Sequence, residues 1–135
     1  MAALCILQGG TMKLIIAEKP SVALSIAKVV GASSRKDGYA QGNGYMVSWC
    51  VGHLIQMASP DKYDEKYAKW NLDDLPILPK DFKYEVSKNT KKQYGVLKKL
   101  LHLKEVDTVI NACDAGREGE LIFRLVYEEA KCKKP

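Results

Sequence analysis

Apolar and polar residues follow one another along this chain in blocks whose periods predict strands and helices in turn. Residues 13–17, Lys-Leu-Ile-Ile-Ala, are a short apolar run with β-branched members, the pattern of a strand buried on both faces of a parallel sheet. Glu18-Lys-Pro-Ser21 interrupts it. Pro20 suits a first helical position, because its missing N–H would be unpaired there in any residue. Val22, Ile26, Ala27 and Val30 then recur at helical spacing, and Gly31 is a natural stop. Residues 38–44, rich in glycine and small polar groups, read as a turn, and 45–51 as a second strand broken by Gly52-His53-Leu54. Pro60, Pro76 and Pro79 stand among many charges in 59–83, which predicts a long surface excursion with at most short structure. A short strand fits 82–86. Residues 90–102 place Tyr94, Leu97, Leu100 and Leu101 on one helical face and Lys91, Lys92, Lys98 and Lys99 over much of the rest. Residues 107–113 read as another buried strand and 114–116 as a turn. From Arg117 a helix is expected to about Ala130, burying Leu121, Ile122, Leu125, Val126 and Ala130.

Strands alternating with helices predict an α/β fold: an open sheet of mostly parallel strands with helices on both faces. The chain of 135 residues fits one domain, expected over 12–135. Residues 1–11 lack the basic start of a secretory signal, and Met12-Lys-Leu-Ile-Ile looks the more natural beginning. They are read as a leader or an added extension.

Composition narrows the class without naming a function. A hydrophobic fraction of 47% with 27% charged residues is that of a folded globular chain, not a disordered one. No apolar run approaches the roughly 18 residues of a membrane span, so no membrane partner is expected. Cys5, Cys50, Cys113 and Cys132 form no C-x-x-C pair, which argues against a zinc site. Cys50 and Cys113 sit in apolar runs and read as small buried hydrophobes in a reducing, cytoplasmic setting. The net charge is +5, with lysines gathered at Lys88, Lys91, Lys92, Lys98 and Lys99 and again at Lys131, Lys133 and Lys134. Such clusters suit a polyanion partner, or are simply a solvated helix face.

The candidate chemistry is acidic. Glu18 ends the first predicted strand and Asp114 the one beginning near 107. Ligands of open α/β sheets bind at the carboxyl ends of strands. If the two strands are neighbours, Glu18 and Asp114 converge on one crevice, with Glu118 pointing back from the first turn of the following helix. Carboxylates brought together repel one another unless a cation is present. Magnesium suits a few carboxylates completed by waters and phosphate oxygens, and the helix start after Gly116 offers free N–H groups to a phosphate. The alternative is that Asp114 caps the helix and Glu118 only complements its dipole. Lys19 and Arg117 adjoin Glu18 and Glu118, where they would either hold a phosphodiester or form surface ion pairs. His53 would contact phosphate or act in proton transfer, or serve only the structure.

Three segments together, Met12-Lys-Leu-Ile-Ile-Ala-Glu-Lys-Pro-Ser21, Trp49-Cys-Val-Gly-His-Leu54 and Asp114-Ala-Gly-Arg-Glu-Gly-Glu120, resemble the N-terminal Toprim domain of type IA DNA topoisomerases, most closely their bacterial topoisomerase III branch. The resemblance covers about 12–135. It implies a Rossmann-like Toprim sheet and a Mg2+ ion held by Glu18, Asp114 and Glu118. It also implies catalytic roles for Glu18, Lys19 and Arg117, and DNA contacts from Lys19, His53 and Arg117. Gly116 stands where the family pattern has a middle aspartate, which removes one carboxylate and makes a second metal less expected. The family cuts one DNA strand with a tyrosine, passes another through and reseals the break. None of the seven tyrosines here sits in that nucleophile's sequence context. The implied partners are a single-stranded DNA segment and the remaining domains of the same enzyme, in the bacterial cytoplasm at the nucleoid; the chain alone is expected to be inactive. Two other readings stay open: a Toprim-type nuclease or primase domain, and a non-catalytic DNA-binding module.

Overall fold

The computed structural model describes residues 11–135. All but Thr11 of the expected leader or extension lies outside them. Strand β1 (Met12–Ala17) is central. Its residues Leu14 to Ala17 are buried on both faces, as a near-continuous apolar run requires. Helix α1 (Pro20–Val30) follows, with Pro20 in its first turn and Gly31 closing it in the left-handed region. Strands β2 (Ser34–Lys36), β3 (Tyr39–Gly42) and β4 (Tyr45–Trp49) form an antiparallel meander. Short β5 (Ile55–Met57) pairs with β6 (Tyr84–Val86). Helix α2 (Lys91–Leu101), strand β7 (Val106–Ala112) and helix α3 (Arg117–Glu129) complete the order.

The main sheet runs β2-β3-β4-β1-β7. The fold is α/β as expected, but the sheet is mixed rather than mostly parallel. Only β1 with β4 and β1 with β7 pair in parallel; the β2–β3, β3–β4 and β5–β6 pairings are antiparallel. The cause is local. Asp37-Gly38 and Asn43-Gly44 are two-residue connections with Gly38, Asn43 and Gly44 all at positive φ, which closes tight hairpins where a parallel link would need a long crossover. The expected turn at 38–44 therefore contains a strand.

Helices cover both faces of the sheet. On one, α1 packs Ala23 and Ala27 against Ile15, Ala17 and Val47. On the other, α2 and α3 bury Tyr94, Leu97, Leu100, Ile122, Phe123 and Val126 over Leu14, Ile16 and Met46. The buried stripe of α2 is the expected one. That of α3 holds at Ile122, Val126 and Ala130, with Leu125 partly packed on the core; Leu121 is instead 41% exposed, and Gly119 and Phe123 also face inward. Strand β7 is less buried than its sequence suggests, since it forms an edge of the sheet and leaves Ile110 and Asn111 exposed.

The predicted excursion is closed at its base by the β5–β6 ladder, continued by Ala58 N–H to the Lys83 carbonyl at 2.8 Å. Between these ends lie only 3-10 turns at Pro60–Lys62, Glu65–Ala68 and Leu72–Asp74. Among the described residues no helix is long and apolar enough to cross a membrane.

Candidate functional site

The topology brings the two acidic segments together. Ala17 and Ala112 are partners in the parallel β1–β7 ladder, so the chain leaves both strands at the same edge of the sheet. Glu18 follows immediately and Asp114 two residues after Ala112. The Asp114 N–H points at Glu18 Oε2, 3.4 Å away. The turn continues with Gly116 N–H donating to the Asp114 carbonyl at 2.8 Å, and α3 begins at Arg117. Both α1 and α3 start here, so two helix N-termini add partial positive charge beside the carboxylates.

Glu118 is placed differently from the expected inward-pointing ligand. Its Oε2 lies 2.9 Å from His53 Nε2, in a largely exposed pair that straps the loop after β4 to the first turn of α3. Glu120 accepts from Asn111 Nδ2 at 2.8 Å and from Arg124 Nε at 2.7 Å. Among the described residues, no three His, Cys, Asp or Glu side chains converge closely enough to hold a metal by themselves. Glu18 and Asp114 are thus the adjacent pair, with Glu118 held aside by His53. Oxygen donors of this kind, half-buried at Glu18 and exposed at Asp114, fit a hard cation that takes one or two carboxylates and completes its shell with water and phosphate. Among the described residues a thiolate-seeking or tetrahedral cation finds no set of three such ligands.

Lys19 and Arg117 are exposed and, among the described residues, neither is in an ion pair. The surface-pair alternative for them is therefore not realised, and both charges stand free beside the carboxylates.

Two residues of the site, Gly119 and Asn111, go beyond those to which the sequence gives a role, and two cysteines acquire a setting. Gly119 packs on the acidic turn: a Cβ there would overlap the Asp114 carbonyl oxygen and lie 2.8 Å from the Asp114 nitrogen. A glycine inside a helix between two glutamates is the available signal, since it costs the helix about 1 kcal/mol unless packing demands it. Asn111 accepts from Cys113 N–H at 3.0 Å while also donating to Glu120, which ties β7 to α3. Cys50 and Cys113 lie below the acidic edge. Contact with Cys113, then burial, pushes the Cys50 thiol far up, so it stays protonated. The neighbouring Cys50 thiol holds the half-buried Cys113 thiol below its ordinary value. Cys50 is the buried hydrophobe expected; Cys113 is only partly so.

Known proteins share this sequence closely. The chain is 49% identical over 121 residues to DNA topoisomerase 3 of Bacillus cereus, a match covering 90% of this chain and 17% of that protein. It is 46% identical over 123 residues to DNA topoisomerase 3 of Shouchella clausii, covering 91% of this chain and 17% of the relative. The corresponding protein of Staphylococcus saprophyticus is 45% identical over 122 residues. The chain thus spans about a sixth of the length of these relatives. The Toprim domain family matches residues 13–135, from the first residues of β1 through both acidic segments to the end of the described chain. A parallel β1–β7 pair with carboxylates at its shared edge, inside a match of that extent, identifies the chain as a member of the Toprim domain family.

Proposed function

We propose that this chain is the magnesium-binding Toprim part of a type IA, topoisomerase III-like DNA topoisomerase, supporting single-strand cleavage, strand passage and religation within a longer bacterial enzyme. The observation that carries the reading is the meeting of Glu18 and Asp114 at the ends of adjacent parallel strands. Glu18 and Asp114 would hold the Mg2+ ion, with Glu118 joining them on release from His53. Bound there, the ion supplies charge neutralisation and orientation for a phosphodiester. Lys19, at the start of α1, and Arg117, at the start of α3, bind the phosphate oxygens from either side. Their charges need not be freed from protein partners first. Glu18 would contribute to catalysis through the Mg2+ ion it holds, which would orient the reacting phosphate and the 3′ end. His53 leads the single-stranded segment past Glu118. The nucleophilic tyrosine belongs to another domain of the same enzyme, so the chain alone neither relaxes nor decatenates DNA. The setting is the bacterial cytoplasm, at the nucleoid.

Magnesium titration followed by calorimetry and by amide NMR shifts tests the assignment. Glu18→Ala and Asp114→Ala should each weaken binding by about tenfold or more, since loss of a ligand costs no less than loss of its supporting group. Gly116→Asp should tighten it: the N-cap backbone is extended, and no atom lies within 4 Å of a Cβ placed there. An unchanged response in both alanine variants would defeat the site. Metal-dependent nicking of plasmid by the isolated chain would assign a nuclease instead.

A further inference from the structure

The fold merges two lysine clusters that are distant in sequence. Helices α2 and α3 both run back from the acidic edge to the far end of the sheet. There His102 Nε2 lies 2.7 Å from the Ala130 carbonyl, Cys132 Sγ meets the Leu101 carbonyl, and Lys134 Nζ reaches the Leu103 carbonyl. The last turn of α2 and the segment after α3 thereby become one surface. It carries Lys98, Lys99, Lys104, Lys131 and Lys133, all exposed, and among the described residues none of the five is in an ion pair. Lys104 and Asp114 flank opposite ends of β7, about 20 Å of strand apart at the usual rise.

Lys98 and Lys99 complement the α2 dipole, which is a sufficient structural reason for those two. It does not account for Lys131. The end of α3 is a Schellman turn, with Cys132 N–H to the Tyr127 carbonyl at 3.1 Å and Lys131 N–H to the Glu128 carbonyl at 2.8 Å. Lys131 fills its left-handed position at φ 55°, where glycine costs least. Lysine occupies that position against backbone preference. Glu105, Glu128 and Glu129 border the surface, so the five lysines are an excess of cations rather than a uniform field. Among the described residues, none of the exposed large apolar side chains lies on the last turn of α2, the loop to β7 or the segment after α3. That absence disfavours a protein partner, which would want an apolar or aromatic anchor. It also disfavours single strands, whose bases need a stacking platform.

We propose that this far-end surface binds the phosphate backbone of a nucleic-acid duplex, independently of metal and of the acidic site. The test is fluorescence anisotropy of a labelled DNA duplex against the whole chain, across a salt series in the presence of a chelator. One variant combines Lys98→Gln, Lys99→Gln, Lys104→Gln, Lys131→Gln and Lys133→Gln. A charge-matched control combines Lys36→Gln, Lys62→Gln, Lys66→Gln, Lys69→Gln and Lys80→Gln. Circular dichroism melts establish that both are folded. The slope of log affinity on log salt should fall by about 0.9 for each phosphate that is no longer neutralised. In the far-end variant it should fall by about two units or more, and the control should keep the wild-type slope. An equal fall in both variants would show a net-charge effect and overturn the proposal. So would wild-type binding by the far-end variant, binding abolished by the chelator, or single strands bound as tightly with the same sensitivity. The chelator separates this result from the magnesium site, so either assignment fails without the other.

Discussion

Gly119 shapes the acidic turn by the space it leaves. The first turn of α3 lies so close to the backbone of Asp114 that any β-carbon displaces one or the other. Gly119→Ala should therefore destabilise the chain by about 2 kcal/mol, the scale of overpacking a tight contact, as read in thermal or denaturant unfolding. It should also weaken magnesium binding with both carboxylates intact. Lys131 gives the opposite sign. Lys131→Gly relieves a left-handed backbone and should raise stability by about 1 kcal/mol, while lowering the salt slope of duplex binding. Placement of individual carboxylates is only partly legible in the sequence. Glu18 and Asp114 follow apolar runs, and a strand end fixes where the next residue goes. The capture of Glu118 by His53, 65 positions away, depends on how a loop returns over α3, and no local pattern encodes that.

Among the elements, those with a full period are legible. β1, α1 and α2 fall within a residue or two of their expected bounds, because burial on both faces or along one stripe leaves a strong signal. Strands β2 and β3 leave none. Ser34–Lys36 is wholly exposed and Tyr39–Gly42 is short, so neither shows alternation. The hairpin signals Asp37-Gly38 and Asn43-Gly44 are present in the sequence, but their flanks are too polar to read as strands. The stripe of α3 departs from expectation at Leu121 and Phe123. Leu121 faces an apolar groove of about 310 Å³ beside Met57 and Tyr84, Leu125 lines that groove while also packing on the core, and the sheet takes Phe123 in addition. Hydrophobicity shows that a helix is amphipathic; which of two adjacent surfaces receives a given leucine is decided by tertiary packing.

The molecule as a whole is polar from end to end. Carboxylates gather where β1 and β7 stop, and lysines that have no ion-pair partner among the described residues gather where β7 begins. The sequence displays two lysine groups and one acidic motif but not this opposition, which arises only once α2 and α3 run side by side. The β5–β6 ladder has a different consequence, for tolerance to change. Because Ile55–Met57 and Tyr84–Val86 are already fastened together, the length of chain between them has little bearing on the rest. Closing a loop half as long differs by only about 0.6 kcal/mol. Trp70, Leu72 and Leu78 stand exposed and contribute nothing to either core cluster. Replacing residues 60–81 with a short glycine-containing turn should leave the main sheet's amide exchange and the magnesium affinity at their wild-type values. A change in either would show that the excursion supports the site. With both values unchanged, the excursion is a replaceable part, free to be resized or exchanged for another segment while the sheet beneath it stays the same.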